Sequence, residues 1–332
     1  MKALTEPAIF SFYFSLCDNS MKVTDFIGCT GWVVLFIISS ICIPVAGPLI
    51  GLVTSLPFLY YSVKLGLYQG LKITVTSVLV IILLAYSVGQ EQLVFFVIQF
   101  AVLGLTLSIM FEYGFSLAQT VVAATVVMLC MNAGFLILVC MLKDTSVHNM
   151  IVSYLQHQIK LTLQAYREMS VPNERVLELQ ARASSLINII ATIYPSLMTI
   201  GSGLVVLLNI AAAKVLFRLK ALRYPDFEPV DRWRAPDSLV WVVIFSGFTL
   251  LLTSGWIKSL SLNIFIVTIM IYICHGFSIL AFFMNRYKVQ TWVKILVYSI
   301  LAVQQIFLGV LALIGLFDQW IDFRKIQKSD LG

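Results

Sequence analysis

The sequence predicts an all-α fold, a polytopic transmembrane helical bundle with about eight or nine membrane segments. Of its 332 residues 60% are hydrophobic and 11% are charged, and the mean hydropathy is +0.96. A soluble globular domain carries about 25% charged residues, so this composition excludes a water-soluble fold, a disordered chain, a disulfide scaffold and a nucleic-acid-binding protein. The third observation is a series of long stretches without Asp, Glu, Lys or Arg.

Each charge-free stretch of about 20 residues predicts one helix across the hydrocarbon core of a bilayer. The apolar residues do not alternate as they do in the strands of a membrane barrel, so helices are the structure that satisfies the backbone in lipid. The predicted spans are 73–90, 92–111, 113–142, 183–213, 238–257, 259–285 and 295–317.

The earlier charge-free stretch, residues 26–63, is interrupted by proline and glycine. Proline removes a helical hydrogen bond and glycine weakens a helix, which leaves two alternatives. The stretch forms one kinked structural helix, or two short helices joined by a turn at 46–48, giving eight or nine crossings respectively. The interrupting residues are Pro44, Gly47, Pro48, Gly51 and Pro57.

Polar insertions complete the predicted organisation. Residues 143–182 have apolar side chains at helical spacing and a break at 170–173, which indicates an extramembrane helical hairpin. The alternative is a helix lying on the membrane surface. The predicted segments are a 1–25 N-terminal interfacial segment, 26–142 membrane helices, the 143–182 hairpin, a 183–213 long membrane helix, a 214–237 cytoplasmic loop, 238–317 C-terminal membrane helices and a 318–332 polar tail.

The distribution of Lys and Arg predicts the orientation, because cytoplasmic loops are enriched in these residues. The densest basic loop, 214–237, is therefore assigned to the cytoplasm. Counting crossings outward assigns Lys64, Lys72 and 286–294 to the same side. It assigns the hairpin and the tail residues Arg324, Lys325 and Lys328 to the opposite side.

Motifs of catalysis are not found, so the sequence predicts a non-enzyme with no catalytic residues, no cofactor and no metal site. No His-Glu-x-x-His pattern, nucleophile elbow or phosphate-binding glycine loop occurs, and the six cysteines form no Cys-x-x-Cys pair. His275 is the one titratable side chain predicted deep in a span. His275 and two amides in or near other spans, Asn188 and Asn209, are the candidate lining residues of a ligand cavity. Interhelical hydrogen bonding is the alternative for each.

The 214–237 loop is also a candidate docking surface for a cytoplasmic protein partner. It mixes basic and acidic side chains and contains three prolines, and the tryptophans Trp233 and Trp241 are placed where aromatic residues anchor at the interface. The candidate docking residues are Arg232, Trp233, Arg234 and Asp237.

Three motifs together resemble a known family. They are 44–51 with the following Leu56–Pro57, Arg232–Asp237 leading into Trp241, and Gly315–Lys325. The sequence resembles the YybS family of uncharacterised bacterial multi-pass membrane proteins, which is distantly similar to the substrate-binding S components of energy-coupling-factor transporters. The resemblance implies a bacterial inner-membrane protein with a six-helix S-component-like core within 26–216 and additional C-terminal helices.

Two functions are therefore expected of a protein embedded in the lipid bilayer. The first is a transporter-like membrane subunit that binds a small solute or a lipid in the bundle. The alternative is a non-transporting scaffold or regulator that recruits protein partners through the cytoplasmic loop and the extramembrane hairpin.

Overall fold

The computed structural model describes residues 22–44, 46–168 and 173–324, and it confirms the all-α polytopic bundle. Seven helices are long and apolar enough to cross a membrane, or eight if one bent pair counts as a span. Most of the predicted interfacial segment 1–25, the turn of the predicted hairpin and the tail beyond Arg324 lie outside the described residues.

The helices are given in chain order, with labels used below. They are α1 Val23–Cys42, α2 Ala46–Gly51, α3 Ser55–Leu65, α4 Leu67–Ser87, α5 Gln92–Glu112, α6 Leu117–Leu142, α7 Val147–Glu168, α8 Asn173–Leu219, α9 Leu239–Leu252, α10 Gly255–Arg286, α11 Thr291–Val303 and α12 Gln305–Ile321, with a short 3₁₀ turn at Val230–Arg232 between α8 and α9.

The chain divides into two compact units. The first comprises Met1–Ala133 and Gly201–Phe227, and the second comprises Gly134–Ile200 and Glu228–Gly332. Helices α6 and α8 therefore contribute residues to both units.

The interrupted stretch 26–63 forms two apolar segments rather than one kinked helix. Helix α1 ends at Cys42, and α2 and α3 together make a second candidate span, Ala46–Leu65. The turn brings Gly47 so close to α1 that an added Cβ would lie 2.7 Å from the carbonyl oxygens of Ser39 and Ser40. Only glycine fits this approach, so the composition of the stretch specifies the turn.

In the first unit α3 packs against α1, α4 and α5. Its contact with α5 depends on Gly104, where an added Cβ would lie 2.8 Å from the Ser55 carbonyl oxygen. At the C-terminal end of α5, four aromatic rings pack edge to face: Phe111, Phe217, Tyr224 and Phe227. Burial raises the pKa of the Tyr224 hydroxyl to about 12, so it stays protonated and donates to the Ile210 carbonyl.

The basic residues that the structure describes in the first unit lie at one end of its helices. Successive helices α4 and α5 pack antiparallel, the Lys64 ammonium pairs with Asp25 at 2.6 Å, and the Phe217 ring lies 6.2 Å from that of Phe111. These contacts bring the start of α1 and α4 and the end of α3, α5 and α8 to one face, the face that the positive-inside rule predicts to be cytoplasmic. The basic residues are Lys22, Lys64, Lys72, Lys214, Arg218, Lys220 and Arg223.

In the second unit α10 packs against α9 on one side and α12 on the other. The α10–α12 contact is a backbone approach at two glycines. An added Cβ would lie 2.2 Å from the Leu311 carbonyl oxygen at Gly276, and 2.3 Å from that of Tyr272 at Gly315. Small residues allow such close packing of membrane helices.

The span predicted over 295–317 is not one straight helix. The structure has two helices, α11 and α12, which meet at 104° across Gln304. The chain therefore turns back, and Arg324 reaches the 230–237 loop instead of the opposite side predicted for it. The physical reason is that the Arg324 side chain is buried against that loop, as described below, while Lys325 and Lys328 lie outside the described residues.

We predict that Gly315→Ala destabilises the second unit, because overpacking of a tight contact costs about 1–3 kcal/mol. The measurement is the free energy of unfolding in an SDS titration of the purified protein. Gly309→Ala in the same helix is the matched control, since nothing lies within 4 Å of its added Cβ. Equal stability of the two variants would contradict the close α10–α12 contact.

Candidate functional site

A charged cluster is buried in the second unit, and Arg324 is at its centre. Residue Arg324 is 4% exposed. Its guanidinium is within hydrogen-bonding distance of five polar atoms. Nη1 donates to the carbonyl oxygens of Asp231 and Trp233 at 2.9 and 3.1 Å and to Ser278 Oγ at 3.0 Å. Nη2 lies 3.2 Å from Asp318 Oδ2 and 3.0 Å from His275 Nε2.

Asp318 and His275 complete the cluster, and both are fully buried. The Asp318 carboxylate accepts from Arg324 and from the Phe323 amide at 2.9 Å, and His275 Nε2 lies 3.2 Å from Asp318 Oδ2. His275 Nε2 is within hydrogen-bonding distance of both the guanidinium and the carboxylate, and the tautomer of the ring decides whether Nε2 accepts from the first or donates to the second. The guanidinium and the carboxylate form a buried ion pair.

The local sequence forms this cluster through the end of α12. Asp322 adopts a left-handed conformation with φ 44°, and its amide donates to the Asp318 carbonyl oxygen. This conformation ends the helix and reverses the chain. The reversal places the Phe323 amide on the Asp318 carboxylate and directs Arg324 back between α10 and the 3₁₀ turn.

Further contacts hold the 230–237 loop to the ends of α10 and α12. Ser278 Oγ donates to the Trp233 carbonyl at 2.7 Å, and the Trp233 ring lies edge-on to the His275 ring. Arg234 Nη2 donates to the carbonyl oxygens of Asp318 and Gln319 at the end of α12. The arrangement fixes the backbone of the loop on both sides of Trp233.

The outer face of the same loop is exposed. Val230, Arg232 and Asp237 are exposed, and Asp237 makes one long ion pair with Arg234 at 3.7 Å. Of the four residues predicted to dock a partner, Arg232 and Asp237 are thus available at the surface, while Trp233 and Arg234 hold the loop to the helices. Two of the predicted docking residues therefore hold the loop in place, and the other two are open to a partner.

The three predicted cavity residues have different surroundings. Asn188 is exposed on α8 in the second unit. Asn209 is fully buried in the first unit, where Nδ2 donates to the carbonyls of Leu52 and Val205 at 2.8 Å and Oδ1 accepts from Ser55 Oγ at 2.5 Å. His275 belongs to the charged cluster. Asn209 and His275 therefore have the hydrogen-bonding surroundings of packing residues.

Asp318 and Arg324 were not among the site residues predicted from the sequence. Both stand at the end of an apolar stretch, where charges ordinarily face water, so their position gave no sign of burial. The available signal was that they belong to the third motif of the resemblance, while Arg232–Asp237 is the second. The structure shows that these two motifs contact each other.

We predict that Asp318→Asn strongly destabilises the protein, because it leaves the Arg324 charge buried without a counter-ion. Breaking a buried ion pair from one side costs about 3–5 kcal/mol. The double variant Asp318→Asn/Arg324→Gln removes both charges and loses less than the sum of the single variants, measured by SDS unfolding. Asp237→Asn, an exposed control, costs about 1 kcal/mol or less. Additive losses would show that the two charges do not interact.

We predict that Asn209→Leu lowers the free energy of unfolding by about 1 kcal/mol, the usual contribution of a polar contact between membrane helices. Ser55 and the Leu52 carbonyl lose their partner in this variant. Asn188→Leu is the control and leaves stability unchanged because its side chain is exposed. A variant Asn209→Leu with unaltered stability but reduced retention of a co-purified small molecule would instead assign Asn209 to a ligand site.

Comparison with known proteins identifies a family. The model of the family described as "Predicted membrane protein (DUF2232)" matches residues 32–319. No curated protein and no solved structure matches the chain significantly. The matched range covers most of the chain, including the 230–237 loop, His275 and Asp318. The chain therefore belongs to the DUF2232 family of predicted membrane proteins.

Proposed function

We propose that this integral membrane protein is a non-transporting scaffold or regulatory subunit that presents the 230–237 loop to a cytoplasmic protein partner. The observation that carries the proposal is the hydrogen bonding of the buried Arg324 guanidinium to the Asp231 and Trp233 carbonyls. Removing a guanidinium and a carboxylate from water is costly. Here their hydrogen bonds fix the backbone of a loop whose Val230, Arg232 and Asp237 side chains face outward.

A fixed loop suits recognition because less conformational entropy is lost when a partner binds. Exposed Arg side chains are frequent at the centres of protein interfaces, and Arg232 has this position beside the apolar Val230, which is 62% exposed. The two charges of opposite sign, Arg232 and Asp237, would fix the orientation of a partner with the complementary pair.

The test is photo-crosslinking in intact membranes with a photoreactive amino acid in place of Val230 of the full-length protein. We expect one discrete protein adduct, which decreases several-fold when Arg232→Glu reverses the charge beside it. Phe248, an exposed residue of the apolar helix α9, is the control position and yields lipid adducts only. Absence of protein adducts from positions 230, 232 and 237 alike would refute the proposal.

A second candidate function, a small-solute or lipid-binding transporter-like subunit, is favoured by a cavity between α7 and α8. Its volume is about 350 Å³, and it is partly open to the surroundings. Such a volume is within the range of small-molecule sites. Its lining combines amide and basic side chains with an apolar wall: Gln156, Ile159, Lys160, Leu163, Gln164, Arg167, Gln180, Ala183 and Ile187.

This candidate is tested by native mass spectrometry of the purified protein. If the cavity holds a solute, a bound mass is retained by the unmodified chain and lost in Leu163→Trp, which fills the cavity. Leu161→Trp, on the same helix but not among the lining residues, is the matched control. Absence of any bound mass in all three proteins would remove this function.

We propose that the protein lies in a bacterial cytoplasmic membrane and catalyses no reaction. The likeness to the YybS family and, distantly, to the S components of energy-coupling-factor transporters supports the second candidate. It supports that candidate through the proline- and glycine-rich turn between α1 and α2, which the motif at 44–51 encodes.

A further inference from the structure

The cytoplasmic end of α8 carries four basic side chains without partners. Lys214, Arg218, Lys220 and Arg223 are all exposed, and among the described residues none forms an ion pair or a side-chain hydrogen bond. The nearest carboxylates in sequence, Asp226 and Glu228, are exposed as well. Unlike Lys64, which pairs with Asp25, these four charges are not neutralised by any residue in the described part of the chain. We call them the α8 basic end.

The α8 basic end adjoins a face of the helix that contacts lipid. Val215 is 62% exposed and Leu219 is 76% exposed, and each follows one of the basic residues directly. Such apolar side chains at the end of a membrane-spanning helix are covered by acyl chains. Lys214 and Arg218, one helical turn apart, are therefore placed where the headgroups of the same lipids lie.

The chain beyond α8 keeps the basic residues at that level. Ala221 has φ 52°, and the Leu222 amide donates to the Phe217 carbonyl, which ends the helix. The half-buried ring of Tyr224 then packs on Phe111 and Phe217. Because this anchor turns the chain back onto the unit, Lys220 and Arg223 stay beside the end of the helix.

We propose that the α8 basic end binds anionic phospholipid headgroups of the cytoplasmic leaflet. Clusters of Lys and Arg directly cytoplasmic of a membrane helix are attracted to anionic lipid, with about 1 kcal/mol for each charge. Each such lipid supplies one phosphate charge, so several lipids together compensate the four cations, and their acyl chains cover Val215 and Leu219. This site is in the first unit and does not depend on the function proposed for the 230–237 loop.

The test uses the full-length protein reconstituted into nanodiscs of phosphatidylcholine alone or of phosphatidylcholine mixed with phosphatidylglycerol. Native mass spectrometry counts the phosphatidylglycerol molecules that each protein retains. Neutralisation of the four residues to Gln is expected to lower the affinity about fivefold for each charge removed, the equivalent of about 1 kcal/mol. Inorganic phosphate is expected to displace no more lipid than chloride at the same ionic strength.

Two controls separate the site from general charge and from misfolding. Lys143→Gln/Lys258→Gln removes two charges outside both the α8 basic end and the cavity between α7 and α8, and it is expected to retain the lipid, unlike the matched Lys214→Gln/Lys220→Gln. Lys214→Arg/Lys220→Arg keeps the charge and is also expected to retain it. Equal retention by the neutralised and unmodified proteins, or equal loss in the first control, would overturn the proposal. Displacement by inorganic phosphate at matched ionic strength would do so too.

Discussion

The path of the chain around the 230–237 loop depends on the ion pair between Arg324 and Asp318. Both groups are buried, so their charges are compensated by protein rather than by water. The carbonyls of Asp231 and Trp233, together with Ser278 and the His275 ring of α10, contact the terminal nitrogens of the guanidinium, while its Nε has no partner among the described residues. The left-handed turn at Asp322 and the path of the connecting loop are the geometry that this requirement imposes.

The sequence predicted the class of the fold and the position of most helices, because long charge-free stretches have few structures available in lipid. Proline and glycine at 44–51 marked the turn after α1. The break at Gln304 has no proline or glycine beside it, only Gln304 and Gln305. A single span was therefore predicted. Asn209 and His275 were found by their polarity, but periodicity could not show that both are satisfied by neighbouring helices. Asp318 and Arg324 were missed because burial at the end of a span depends on tertiary contacts.

The two units use charge in different ways. In the second unit the charges of a guanidinium and a carboxylate compensate each other inside the protein, beside an imidazole, and their hydrogen bonds hold a loop in place. In the first unit the basic residues gather at one face, and those at the end of α8 remain unpaired there. Internal compensation favours a rigid surface for a protein partner, whereas uncompensated charge at the membrane face favours anionic lipid. Both proposals follow from where each charge finds its partner.

Sided thiol labelling determines whether the chain returns to the face of the 230–237 loop after α12. In a chain whose six cysteines are replaced by serine, single substitutions Phe323→Cys, Arg232→Cys and Lys143→Cys are labelled with a membrane-impermeant maleimide in intact cells and in inverted vesicles. We expect positions 323 and 232 to react from the same side and position 143 from the other. Labelling of position 323 together with position 143 would show that the chain does not return.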